Sequence, residues 1–135
     1  MSRRTLLVVE DAPSSAAALE MTLDGALGLA VRTMPDGMAA WAFLEGADGE
    51  DVCAVITDLH LPVVDGFELI RRIRSSAPHA ALPVIVVSAT TDLAAPDRAL
   101  ELGANAFFAK PWSVQRLRAK LEQLLYEMDA NFGPG

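Results

Sequence analysis

Five residues in this sequence are suited to handling a phosphoryl group beside a hard cation, and each ends or follows a short apolar run. Glu10-Asp11 follows Leu6-Leu7-Val8-Val9, Asp58 follows Cys53-Ala54-Val55-Ile56-Thr57, Ser88 closes the run from Pro83 to Val87, and Lys110 follows Ala106-Phe107-Phe108-Ala109. Three carboxylates brought to one point repel, and without a cation at least one tends to stay protonated. A divalent ion relieves this. The ligands are all hard oxygens, with no His or Cys pair, which suits Mg²⁺ or Mn²⁺ rather than zinc. Mg²⁺ takes only one or two carboxylates and keeps room for phosphate oxygens. Lys110 adds a second positive charge and Ser88 a donor, while an Asp can accept a phosphoryl group as an acyl phosphate. Phosphoryl transfer needs mainly positioning and charge neutralisation, which this set provides. Singly, each residue has an ordinary structural reading: Glu10-Asp11 as a loop start, Asp58 as a turn residue before Pro62, Ser88 as a helix cap, Lys110 as a solvated lysine. The joint pattern favours a site.

The apolar runs must be strands for these residues to meet. Leu6–Val9 is all apolar, as in a strand buried on both faces. Ala30–Met34, Cys53–Thr57, Pro83–Ser88 and Ala106–Ala109 read as four more. Helical patterns separate them. The first runs from Ser14 to Leu27, with Ala16, Leu19, Leu23 and Leu27 on one stripe and Gly28 as its stop. The second follows Asp36 as N-cap, carries Ala40, Phe43 and Leu44, and ends near Gly46. The third starts at Asp65, where Glu68 three residues on resembles a capping box; Leu69, Ile70 and Ile73 face inward and Arg71, Arg72 and Arg74 face water. The fourth spans Ala94 to Leu102 and stops at Gly103. The fifth begins at Ser113, with Val114, Leu117, Leu121, Leu124 and Met128 on its apolar face, and the segment from Asn131 to Gly135 breaks it. Five strands alternating with five helices predict a (βα)₅ α/β domain: a parallel sheet with helices on both faces. Ligands of such sheets bind at the carboxyl ends of the strands, where the five residues fall.

A chain of 135 residues, half of them apolar, is the size of one domain with a real core. A net charge of −7 argues against coating nucleic acid, which runs on clustered Lys and Arg. The short basic groups (Arg3 and Arg4, Arg71 to Arg74, Arg116 and Arg118) read as solvated helix faces and a frayed terminus. Cys53 is the single cysteine, which excludes an internal disulfide and a multi-cysteine metal site, and it reads as a small core residue. His79 reads as a loop residue before Pro83. Leu6–Val9 is too short for a signal segment and no stretch approaches the ~20 apolar residues of a membrane span, so a cytoplasmic protein is expected. No G-x-G-x-x-G or Walker loop is present to support nucleotide binding.

Over roughly Arg4 to Met128 the sequence resembles the receiver domain of bacterial two-component response regulators. The matching segments are L-L-V-V-E-D (6–11), V-I-T-D-L-H-L-P-V-V-D-G (55–66), V-I-V-V-S-A (84–89) and G-A-N-A-F-F-A-K-P-W (103–112). The resemblance implies a flavodoxin-like strand order 2-1-3-4-5 and a single receiver domain over 1–135, its core about 4–128 and a short tail over 129–135. It implies Asp58 as phospho-acceptor and Mg²⁺ held by Asp11 directly, by Glu10 through water, by Asp58 and by the backbone carbonyl of His60. Ser88 and Lys110 would bind the phosphoryl group, Phe107 would be the switch aromatic, and the Lys110–Pro111 bond would be cis. His60 and Thr90 stand where side chains would tune the phosphate's lifetime. Phe107 lacks the hydroxyl of the commoner Tyr, so its switching would work by packing. The implied partners are a histidine kinase or phosphotransfer protein upstream, and a target or second copy on the face of the fourth helix, fifth strand and fifth helix. The implied activity is self-catalysed phosphoryl acceptance and slow loss, not enzymatic turnover. Two other readings are an unphosphorylated receiver-like interaction module and a small phosphatase with Asp58 as nucleophile. The phosphatase reading is weakened by His60, where haloacid dehalogenase-like enzymes carry a second Asp.

Overall fold

The computed structural model describes residues 4–24 and 26–132, leaving aside the side chains of 26 and 130–132. Arg3 and the Gly133-Pro134-Gly135 tail lie outside these residues. Five strands, β1 (Thr5–Val9), β2 (Ala30–Met34), β3 (Val52–Thr57), β4 (Val84–Ser88) and β5 (Ala106–Ala109), alternate with α1 (Pro13–Leu23), α2 (Gly37–Glu45), α3 (Gly66–Ser75), α4 (Ala95–Leu102) and α5 (Val114–Phe132). All strand pairs are parallel and the order is β2-β1-β3-β4-β5, the flavodoxin-like arrangement.

Period-two alternation sorts the strands' side chains into two cores. Leu7, Val9, Val55, Val84 and Val86 pack with α2, α3 and α4 residues such as Leu44, Leu69, Ile73 and Ala99. Leu6, Val8, Ile56, Ile85 and Val87 pack with Leu19 and Leu23 of α1 and Leu117 and Leu121 of α5. Because both faces are covered, β1, β3 and β4 are buried along their whole length, which is why they read as unbroken apolar runs. Between Thr5 and Leu6 the β1–β3 register shifts; Cys53, buried there, donates its thiol to the Thr5 carbonyl at 3.5 Å.

The structure differs from the sequence expectations at several points. α1 stops at Leu23, and Leu27 stands in a short 3₁₀ turn with φ 56° and its side chain 41% exposed. Leu27 therefore lies off the helical stripe. α1 starts at Pro13, one residue before the expected Ser14, with Ala12 ahead of it. Asp36 and Asp65 do cap α2 and α3, accepting from the N–H groups of Ala39 and Glu68. The capping box is only half made, because the Glu68 carboxylate turns to Arg71 and Arg72. Those hydrogen bonds, Arg71 first, pull the exposed Glu68 carboxyl down to about 2. Val114 is 42% exposed rather than part of the α5 face, and α5 continues past Met128 to Phe132, through residues expected to break it.

Arg74 does not face water. Its guanidinium donates to the carbonyls of Gly103, Ala80 and Leu82 and to Oδ1 of Asn105. Asn105 Oδ1 also accepts the N–H of Val84 at the start of β4. Gly103 closes α4 at φ 116°, and a Cβ there would come within 2.8 Å of Arg74. His79 lies in the connection before Pro83, as expected, but it is buried in a 3₁₀ turn and its Nε2 lies 3.0 Å from the Leu44 carbonyl. At the amino-terminal edge of the sheet, Arg4 pairs with Asp129 of α5 at 3.0 Å. Among the described residues no helix is long and apolar enough to cross a membrane.

Candidate functional site

Four strands deliver polar residues to one edge. Glu10, Asp58 and Lys110 follow β1, β3 and β5, and Ser88 ends β4. The ladder continues one step beyond the strands and fixes their backbones: Asp58 N–H donates to the Val9 carbonyl, Glu10 N–H to Met34 and Lys110 N–H to Ser88. A carboxylate oxygen from each of Glu10, Asp11 and Asp58 falls within 4.8 Å of the others. Lys110, reaching across from β5, donates to Glu10 Oε1 at 2.8 Å and to Asp58 Oδ2 at 2.9 Å. The Lys110–Pro111 peptide is cis, as expected.

Asp58 is held on its other side by the backbone. Its Oδ1 accepts the N–H of Leu59 at 2.6 Å and of His60 at 3.2 Å. The preceding Thr57, fully buried, donates its hydroxyl to the Asp58 carbonyl at 2.8 Å. α3 also closes on this segment: the Gly66 N–H donates to the Leu59 carbonyl, and a Cβ on Gly66 would lie 2.3 Å from the Asp58 carbonyl oxygen. Only glycine permits this approach.

Glu10 is 4% exposed and Asp58 9%, so both charges feel the loss of water. Burial pushes the Glu10 carboxyl above its ordinary value, and the Asp58 carboxylate adds to the effect against the pull of Lys110. Burial acts upward on Asp58 too, but bonds with Lys110, Glu10 and the His60 N–H outweigh it and hold the group below its ordinary value. Burial disfavours the Lys110 ammonium, yet the two carboxylates raise it above its ordinary value. Negative charge thus settles on Asp58, while a proton is retained more readily on Glu10. Ser88 Oγ is fully buried and has no hydrogen-bond partner among the described residues.

The structure brings Glu10, Asp11, Asp58 and Lys110 together in direct contact or near it and places Ser88 at the neighbouring strand end. Phe107 is half-buried against the core beneath α2, α3 and α4. Thr90 turns its hydroxyl to the Asp92 N–H at 3.1 Å, within its own loop. The His60 residue is exposed, and its N–H donates to Asp58. Thr57 was not legible as a site residue. The available signal was a hydroxyl closing an otherwise apolar strand, since a buried polar group is the informative exception.

Sequence and structure comparisons match the fold. Residues 6–122 match the response regulator receiver domain family. A chemotaxis protein CheY homolog of Campylobacter jejuni is 32% identical over 120 residues, covering 89% of this chain and 91% of that protein. Transcriptional regulatory protein GltR of Pseudomonas aeruginosa is 36% identical over 122 residues, covering 90% of this chain and 49% of that protein. The crystal structure of a response regulator receiver protein from Pseudomonas putida matches with a TM-score of 0.76 at 31% identity, over 94% of this chain and 98% of that one. The class defined by fold and site is a signalling receiver. The chain belongs to the response regulator receiver domain family, whose members serve two-component and chemotaxis signalling.

Proposed function

We propose that this receiver is a phosphorylation switch in which Asp58 accepts a phosphoryl group from a phosphohistidine. The observation that carries the reading is the joint arrangement of the buried, ionised Asp58 carboxylate, two further carboxylates within 4.8 Å and a lysine ammonium at 2.9 Å. The donor set fits Mg²⁺, being oxygen only and in excess of the one or two carboxylates that ion takes. Asp11, Asp58, the His60 carbonyl and Glu10 through water would hold it, and Mn²⁺ would substitute. Bound there, Mg²⁺ would neutralise charge on the transferring phosphoryl oxygens.

An Asp58 oxygen attacks phosphorus in line, the P–N bond to the imidazole breaks, and the histidine leaves. Lys110 exchanges part of its contact with Glu10 and Asp58 for a phosphoryl oxygen. Ser88 Oγ, buried without a partner among the described residues, gains one by donating to another phosphoryl oxygen. That bond draws the β4–α4 loop inward, Phe107 repacks, and the face of α4, β5 and α5 shifts population toward a form that binds a target or a second copy. His60 and Thr90 border the water route and set how long the phosphate persists. The domain is read as a single receiver with no nucleic-acid surface and a cytoplasmic setting.

The test is intact-mass measurement after incubation with Mg²⁺ and acetyl phosphate or phosphoramidate. One phosphoryl group is expected on the wild type and none on Asp58→Asn or after chelation of Mg²⁺. An unlabelled wild type would leave the interaction-module reading, and steady turnover of a phosphate ester would favour a phosphatase.

A further inference from the structure

We infer that Thr57 is a positioning residue for phosphoryl acceptance, acting through one peptide plane; the inference rests on the phospho-acceptor reading of Asp58. The peptide joining Asp58 to Leu59 is gripped at both ends. Its carbonyl accepts the Thr57 hydroxyl at 2.8 Å, and its N–H donates to the Asp58 Oδ1 at 2.6 Å. Among the described residues Thr57 is the sole donor to that carbonyl, because β3 ends at Thr57 and the ladder bond at Asp58 is made by its N–H alone. Gly66 also approaches the carbonyl so closely that a Cβ there would lie 2.3 Å from its oxygen, which crowds that side.

The consequence is mechanical. Rotating this peptide about the Asp58 Cα–C bond moves its N–H off Oδ1. With that bond in place the carboxylate is held in one orientation, with Oδ2 turned to Lys110 at 2.9 Å. Removing the hydroxyl leaves a buried carbonyl unpaired and frees the plane to turn. The carboxylate then has to be oriented during the reaction rather than before it, which costs rate at a site that works by positioning.

The experiment compares side chains with and without the hydroxyl at nearly constant volume. Thr57→Val is expected to lower the maximal labelling rate by acetyl phosphate roughly ten-fold, the scale of one lost orienting hydrogen bond. The half-saturating acetyl phosphate concentration should stay within about two-fold, since the hydroxyl touches no donor atom. Thr57→Ser, which keeps the hydroxyl, should restore most of the rate. If the valine variant does not fold, Thr57→Ala against Thr57→Ser makes the same comparison. Equal maximal rates with and without the hydroxyl, in a protein whose wild type is labelled, would overturn the role of Thr57 alone. A wild type that takes no label overturns the phospho-acceptor reading itself.

Discussion

Glu10 concentrates the electrostatic problem of the site. Its carboxyl is buried, and burial with Asp58 beside it raises its pKa in the folded chain. The protonated form therefore favours folding: its contribution is full below the unfolded value near 4.5 and is lost as pH rises through the higher folded value. Glu10→Gln is expected to remove this loss. Without added metal the variant should melt higher than the wild type at pH 8, with the difference closing toward pH 4; thermal melts by circular dichroism across that range check it. If the site is a Mg²⁺ site as proposed, stabilisation by the ion should shrink in the same variant, because an amide is a poorer ligand than a carboxylate. The meeting of Glu10, Asp11, Asp58 and Lys110 was legible because each ends or follows an all-apolar run whose direction is set by a parallel sheet. Thr57 was hidden because its partner is a backbone carbonyl. Phe107 was marked by the family resemblance alone, which does not say how deeply it sits.

At the scale of elements, Arg74 does work that helix spacing does not reveal. It leaves the carboxyl end of α3 and gathers carbonyls from Ala80, Leu82 and Gly103 together with Asn105, tying the chain before β4 to the chain before β5. Burial alone pulls the guanidinium below its ordinary value, yet it keeps its charge, being always protonated in proteins. Arg74→Ala strands several carbonyls at once and is expected to cost about 2–4 kcal/mol by urea denaturation. Arg74→Lys should recover little, since an ammonium cannot reproduce the planar fork. The three neighbouring arginines looked alike in sequence because each follows the inward residues of the same helix. Only the long-range partners, 29 residues away in the case of Gly103, distinguish Arg74. Leu27 misled for a related reason: its spacing fits the stripe of α1, but the chain turns left-handed there. The burial of His79 was hidden because its anchor, the Leu44 carbonyl, lies on another element.

For the whole molecule the sheet has a polarity. The acidic residues cluster at the carboxyl ends of the strands, and the Arg4–Asp129 pair closes the opposite edge. The five residues of β1 put roughly 16 Å between these edges at about 3.3 Å per residue. The alternation of five strands with five helices was open to sequence reasoning because both faces of the sheet are covered and every crossover is a helix, while the strand order came only with the family resemblance. The pairing of residue 4 with residue 129 was not, since it joins the two flanks of the chain through exposed side chains. That ion pair makes the domain a natural cassette. A short linker at each flank would let it be grafted into the surface loop of a host protein, with its acidic mouth turned outward. If Asp58 is the phospho-acceptor as proposed, such a graft is expected to be labelled by acetyl phosphate as the free domain is. On the same proposal, a shift of the α5 face would reach the host through the join at α5, and a fluorescent host would report it as light.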